Sequence, residues 1–294
     1  MSSYAPESNA IGRHPPLSLP PKVIMINLRL QQILPQVIEA VERVGVLLAS
    51  EYARPSGRRG SGDKAEIDVE IEVLLRAELL ETLNCDWWGE ETGHVLSGDP
   101  FCWVVDPNDG TSDFLRGLKG SAISVGLLHD SQPVLGVVHA PVTASGISDC
   151  IAWAEGMDHL VRNGHRIVAD LSDQLLTEKT TVMVSSAADG KPEINSQLCA
   201  PAAFHAMPSI AYRLAKVAAG DGVCGCSLYP VSAHDVVAGH ALLIGAKGIL
   251  VDENGAPVRY TTEETMARVS GRVFGGSASA CFELSKRDWS KLFK

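Results

Sequence analysis

The chain has 294 residues, 45% of them hydrophobic and 20% charged, an ordinary globular composition with room for one large domain or two modest ones. A formal net charge of −10 argues against non-specific binding to a nucleic-acid polymer or a membrane surface, and no apolar run is long enough to span a bilayer. The 7 cysteines are odd in number and scattered, which reads as the reduced thiols of a cytoplasmic protein; the close pair Cys224-Gly225-Cys226 lacks the second pair or histidines of a zinc site.

Residues 1–22 are rich in Ser and Pro without an apolar signal core, and read as a disordered lead-in. Ile24 to Tyr52 carries a helical stripe, Leu28, Ile33, Val37, Ala40, Val41, Val44 and Leu48, with Pro35 marking a first turn or a kink. Arg54 to Asp63 reads as a flexible basic loop, and Asp68 to Leu83 as a second helix with Asp68 placed to cap it. Trp87-Trp88-Gly89-Glu90-Glu91 is a short strand entering a turn. Ala122 to Leu128 and Pro133 to Ala140 are two strands of a hairpin turned by His129 to Gln132, and Ile147 to Ala154 and His159 to Val161 continue the β pattern. From Val182 strands and helices alternate, with helices expected over Ile210 to Ala219 and Asp235 to Ile244 and a strand over Ile249 to Val251. The break between Arg162 and Asp173 divides the chain into an α+β half, 23–165, and an α/β half, 166–294.

The chemistry concentrates in Trp103-Val104-Val105-Asp106-Pro107-Asn108-Asp109-Gly110-Thr111. The apolar residues read as a buried strand that breaks at Asp-Pro. A strand end then delivers Asp106 and Asp109 into one small volume, beside the N–H groups of a Gly-Thr helix start. Hard divalent cations want several oxygen ligands, and a helix start suits a phosphate. Glu90, projected from a turn, and Asp235, at the start of a helix, are further candidate oxygen donors. Any one of these acids alone reads as a solvated surface group or a helix cap. An unpaired carboxylate at the end of a buried strand, however, is costly, which favours a cation among them.

These segments resemble the inositol monophosphatase superfamily. Trp103 to Phe114 reproduces its motif W-x-[VI]-D-P-[IL]-D-G-T-x-x-F with Asn108 in place of Ile or Leu, Gly89-Glu90-Glu91 matches its G-E-E element, and His234-Asp235-Val236-Val237-Ala238-Gly239 stands for W-D-x-A-[AG]-G. The resemblance implies a layered α/β/α/β/α sandwich and a Mg²⁺-dependent, Li⁺-sensitive phosphomonoesterase, a homodimer acting on a small phosphorylated metabolite with two or three Mg²⁺ ions. It implies that Glu90, Asp106 and the Asn108 carbonyl hold one metal, and that Asp106, Asp109 and Asp235 hold a second. By the same resemblance Thr111, partnered by Asp68, orients the attacking water, and Gly110 and Thr111 cradle the phosphate.

The departures bear on substrate. Leu228 stands where inositol monophosphatases proper present an acid to sugar hydroxyls, and His234 replaces a tryptophan and is read as filling its space at the pocket wall, with a metal ligand or a general acid as the alternative reading. Segments Pro133 to Val142 and Gly255 to Thr261 lean towards the 3′(2′),5′-bisphosphate nucleotidase branch, which acts on 3′-phosphoadenosine 5′-phosphate. The expected activity is inositol-monophosphatase-like, with that nucleotidase as the alternative and a sugar-phosphate phosphatase as a further one. A non-catalytic partner-binding member of the fold is the rival from another class. The basic stretch Arg54 to Lys64 is read as a solvated loop, with a clamp on a second phosphate as the alternative; Asp63 and Glu66 are the acids it offers to a third metal.

Overall fold

The apolar stripe between Leu30 and Leu48 lies on one helix, α1, which spans Pro21–Tyr52 with Pro35 inside it. It belongs to a computed structural model that describes residues 20–293. The lead-in expected over 1–22 therefore lies outside the described residues as far as residue 19, and its last two residues open the helix. Pro21 sits in the first turn, where the missing N–H would have had no partner. Helix α2 (Glu66–Thr82) packs against α1.

Between them, β1 (Gly60–Ser61) and β2 (Lys64–Ala65) form an antiparallel hairpin. The basic segment expected to be a flexible loop is thus tied down. Arg59 pairs with Glu51 at 2.8 Å and Glu70 at 2.9 Å, and Arg58 donates to the carbonyls of Leu115 and Tyr52. Their hydrogen bonds go to the fold, which leaves little for a phosphate clamp. The hairpin also moves the start of α2. Ala65 is its N-cap residue and Asp68 stands one turn inside, so Asp68 is not the cap.

Eight strands make the first sheet: β3 (Asp86–Gly89), β4 (His94–Val95), β5 (Phe101–Asp109), β6 (Ala122–His129), β7 (Gln132–Ala140), β8 (Asp149–Ala154), β9 (Leu160–Arg162) and β10 (His165–Ile167), in the order β10-β9-β8-β7-β6-β5-β3-β4. All neighbours are antiparallel except β3 and β5. Asp130 and Ser131 both take positive φ, 48° and 64°, in the two-residue turn that joins β6 to β7. The second sheet holds β11 (Thr181–Ser185), β12 (Ala203–Met207), β13 (Cys224–Ser227), β14 (Ile249–Asp252) and β15 (Val273–Gly276), in the order β12-β11-β13-β15-β14. The remaining helices are α3 (Thr111–Arg116), α4 (Pro192–Cys199), α5 (Ile210–Ala218), α6 (Ala233–Gly245), α7 (Glu263–Ala267) and α8 (Ala278–Ser285).

Side-chain alternation along β5 shows how the layers arise. Trp103 and Val105 face α1 and α2, in a core with Val37, Val41, Ile71 and Leu75. Cys102 and Val104 face the other way, into a core shared with Leu214 of α5 and Val237 and Leu242 of α6. A strand buried on both faces reads as a continuous apolar run, as this one does. The far face of the second sheet, with Val182, Val184 and Phe274, packs on Leu198 of α4, on Cys281 and Leu284 of α8, and on Trp289. The layers are α1/α2, the first sheet, α5/α6, the second sheet and α4/α8, an α/β/α/β/α sandwich. Strand β10 belongs to the first sheet, so the change from one sheet to the next falls between Ile167 and Thr181.

Helix α6 lies close on the first sheet. A Cβ added at Gly136 of β7 would stand 2.3 Å from the Ala238 carbonyl oxygen, so a larger residue there would push the helix away. That seating carries the first turn of α6, with His234 and Asp235, to the end of β5.

Candidate active site

Strand β5 does not stop at Asp106-Pro107. It runs on to Asp109, and its pairing with β6 shifts register between Asp106 and Asp109. Proline donates no ladder hydrogen bond, and an irregularity of this kind is where a sheet tolerates one. The shift brings Asp106 and Asp109 to one side, although simple alternation would send residues three apart to opposite faces. The Asn108 N–H donates to Asp106 Oδ1 at 2.8 Å and fixes that carboxylate. Gly110 then turns the chain at φ 95°, a conformation that costs glycine little, and opens α3.

Carboxylate oxygens of Asp106, Asp109 and Asp235 lie within 4.8 Å of one another, and donor atoms of Glu90, Asp106 and His234 do likewise. Two elements of the first half, β5 and the turn after β3, thus meet the first turn of α6. Each acid is held in place. Asp109 Oδ2 accepts from the Ser209 hydroxyl at 2.6 Å and the Ala211 N–H at 2.6 Å. Asp235 Oδ2 accepts the Ser232 N–H at 2.5 Å, so its position in α6 is the third residue of a capped start, with Ser232 as N-cap. Glu90 opens a turn clamped by Glu72, a fully buried acid that accepts the Glu91 N–H at 2.8 Å and the Thr92 N–H at 2.7 Å. Gly89 is needed beside that clamp, since a Cβ there would sit 2.0 Å from Glu72 Oε1.

The Thr111 hydroxyl lies 3.1 Å from Asp68 Oδ2 and 2.8 Å from the Asn108 carbonyl oxygen. It has one proton, so these are alternative donations. The Asn108 side-chain amide holds the other Asp68 oxygen at 3.0 Å. The residue in place of the usual Ile or Leu therefore braces the Asp68–Thr111 pair.

Electrostatics show what the cluster lacks. Burial, then repulsion from Glu90, Asp109 and Asp235, holds the Asp106 carboxyl well above its usual range. Burial pushes Asp109 and Asp235 up to about 6 each. Desolvation and the neighbouring charges of Asp235, Glu91 and Asp109 raise Glu90 to about 8, although its side chain keeps 35% exposure. Burial likewise raises Asp68 to about 7 and lowers His234 to about 4. Arg213 brings a buried positive charge towards Asp109 and Asp235, but its hydrogen bonds go to the carbonyls of Ser209 and Cys226. An oxygen-donor cluster short of positive charge fits divalent cations.

The residues expected at the site are thus together, with one exception. Leu228 follows β13 and lines a cavity of about 340 Å³ with Val184, Ala188, Tyr229 and Phe293, and none of the clustered acids lines that cavity. Glu72, Ser209 and Arg213 were not anticipated. Glu72 carries a signal in standing one helical turn after Asp68, Ser209 one in directly preceding the expected helix over Ile210 to Ala219, and Arg213 carries none.

A family model described as the inositol monophosphatase family matches residues 29–279. The 3′(2′),5′-bisphosphate nucleotidase CysQ of Aggregatibacter actinomycetemcomitans is 29% identical over 246 residues, 79% of this chain and 89% of its own length. The inositol-1-monophosphatase ImpA of Mycolicibacterium smegmatis is 27% identical over 223 residues, 73% of this chain and 78% of its own. Among solved structures, a Thermotoga maritima IMPase aligns with a TM-score of 0.68 at 24% identity, over 85% of this chain and 93% of its own. CysQ of Bacteroides thetaiotaomicron aligns with a TM-score of 0.68 at 19% identity, over 86% and 99%. At these identities the two structures show the shared fold. The family model spans most of the sequence, including both arms of the acid cluster, and on that match the chain belongs to the inositol monophosphatase family.

Proposed function

We propose that this phosphatase-family chain hydrolyses a small phosphate monoester with Mg²⁺ as its cofactor, as a homodimer in the cytoplasm. The observation that carries the reading is the meeting of Asp106, Asp109 and Asp235 within 4.8 Å, beside the Thr111–Asp68 pair. Two or three bound Mg²⁺ ions would neutralise phosphate charge and lower the pKa of a bound water. Glu90, Asp106 and the Asn108 carbonyl would hold one ion, and Asp106, Asp109 and Asp235 another. The chain's own groups do the positioning. When Thr111 donates its proton to Asp68, its hydroxyl oxygen is left to accept from a water and so to aim that water's free lone pair. Gly110 and Thr111 present first-turn N–H groups, which have no partner within a helix, to the phosphate.

Two substrate classes compete. An inositol-monophosphatase-like activity is the broader reading. A nucleotidase acting on 3′-phosphoadenosine 5′-phosphate is the alternative, supported by the 29% identity to a CysQ nucleotidase over 79% of this chain. Phosphate release from myo-inositol 1-phosphate, 3′-phosphoadenosine 5′-phosphate and fructose 1,6-bisphosphate, compared by kcat/KM, separates the readings. Mg²⁺-dependent turnover of one or more supports the phosphatase reading, and turnover of none overturns it.

A further inference from the structure

The turn into α6 places a histidine where the acid cluster is open. His234 Nε2 stands 4.0 Å from Glu90 Oε1 and 3.9 Å from Asp235 Oδ2, with the side chain only 15% exposed. Both distances are too long for hydrogen bonds. The other ring nitrogen, Nδ1, is buried without a partner. Among the described residues neither nitrogen of this ring makes a hydrogen bond, although carboxylates stand on two sides of it. Two donors that share an ion at about 2.1 Å each are separated by at most about 4.2 Å. The spacing to Glu90 falls within that limit, and donor atoms of Glu90, Asp106 and His234 lie within 4.8 Å of one another, so closing the set around one ion takes a side-chain shift of no more than a few tenths of an ångström each. The backbone fixes the arrangement, because His234 lies in the first turn of α6 and its carbonyl accepts the Ser124 hydroxyl of β6 at 3.2 Å.

We propose that His234 Nε2 is a ligand to the cation held by Glu90 and Asp106, which makes that position a mixed nitrogen–oxygen site. The assignment rests on the phosphatase reading and deepens it. Carboxylate and carbonyl oxygens alone suit Mg²⁺, whereas an imidazole donor favours first-row transition ions, of which Mn²⁺ also accepts carboxylates well. The site therefore selects Mn²⁺ over Mg²⁺ more strongly than an all-oxygen site of the same charge.

The test uses Mn²⁺ and the full chain. Pulsed electron paramagnetic resonance of the Mn²⁺-loaded protein reads ¹⁴N coupling from a directly bound imidazole. Competition titration with Mg²⁺ gives the affinity ratio. The wild type is expected to show the coupling, and His234→Phe to lose it while the Mn²⁺-to-Mg²⁺ affinity ratio falls by roughly tenfold or more. His234→Gln, which keeps a polar side chain, is the second variant and should also lose the coupling. Mn²⁺ bound with oxygen couplings only in the wild type overturns the His234 assignment and leaves the phosphatase reading standing, as does ¹⁴N coupling that persists in both variants. Failure of the wild type to bind Mn²⁺ or Mg²⁺ overturns both.

Discussion

The Ser209 hydroxyl donates to Asp109 Oδ2 at 2.6 Å, and so ties the N-terminus of α5 to the end of β5. The same hydroxyl accepts the Tyr212 N–H at 2.9 Å, which makes Ser209 both the cap of α5 and the brace of a metal-ligand candidate. Its φ of 55° is uncommon for a residue with a side chain, and such conformations persist where the surroundings enforce them.

Ser209→Ala removes both hydrogen bonds. Stability should fall by about 1 kcal/mol, the scale of a lost N-cap, and Mg²⁺ affinity should fall because one support of Asp109 is gone. Ser209→Gly relieves the backbone but loses the same hydroxyl, so its Mg²⁺ affinity should match that of the alanine variant. Calorimetric titration with Mg²⁺ checks both, and unchanged affinity in the two variants would rule out the brace.

Glu72→Ala leaves the Glu91 and Thr92 N–H groups without their acceptor. These N–H groups are part-buried, so each loss costs less than the roughly 1–3 kcal/mol of a fully buried unsatisfied group, and the melting temperature should drop. Metal binding should weaken with it, since the turn carrying Glu90 loses its clamp. Glu72→Gln keeps one acceptor oxygen and should show the smaller loss in both thermal unfolding and Mg²⁺ titration.

Thr111→Ala removes the hydroxyl proposed to aim a water, one with no expected contact with the organic part of the substrate. A fall in kcat of roughly 10²-fold, with KM little changed, is the expected outcome. Steady-state kinetics on whichever substrate the panel identifies makes the check; a rise in KM alone would make Thr111 a binding residue and dissolve its pairing with Asp68.

His139 supplies a pH dependence away from the acid cluster. Burial lowers it from 6.5 to about 4, and a Cβ at Gly45 of α1 would come within 2.5 Å of its ring. The unfolded chain binds a proton there before the folded one does. The stabilisation is therefore complete above pH ~6.5 and is lost as the pH falls towards 4, by on the order of 3 kcal/mol. His139→Gln should flatten the denaturant midpoint between pH 6.5 and 4; an unchanged slope would show that His139 does not titrate on unfolding.

Much of this was legible in the residues because the central motif is contiguous. Trp103 to Thr111 carries strand, bend and two acids within one short segment, and Glu90 and Asp235 stand in similar local signals. What the sequence concealed depends on distant partners. Glu72 looks like any acid on a charged helix until the turn after β3 folds onto it. Arg213 lies in an apolar stretch and declares no role before β13 pairs beside it. Local rules also misled in two places. Asp-Pro reads as the end of a strand, yet a register shift lets β5 continue. Asp68 reads as a cap, yet the β1–β2 hairpin starts the helix earlier and leaves Asp68 free to meet Thr111. The five-layer order was implied by resemblance, since no local pattern says that α5 and α6 lie between two sheets.

The most direct test of cation-dependent phosphate hydrolysis is inorganic phosphate release by the purified full chain and by Asp106→Asn, each with Mg²⁺ and with a chelator. Asp106 belongs to both donor groups of the cluster, and the near-isosteric change lowers the repulsion among the acids, so folding should be kept. Cation-dependent hydrolysis predicts release by the wild type only with Mg²⁺, and none by a folded Asp106→Asn protein. Equal release by the variant, or wild-type release that persists in the chelator, would contradict it.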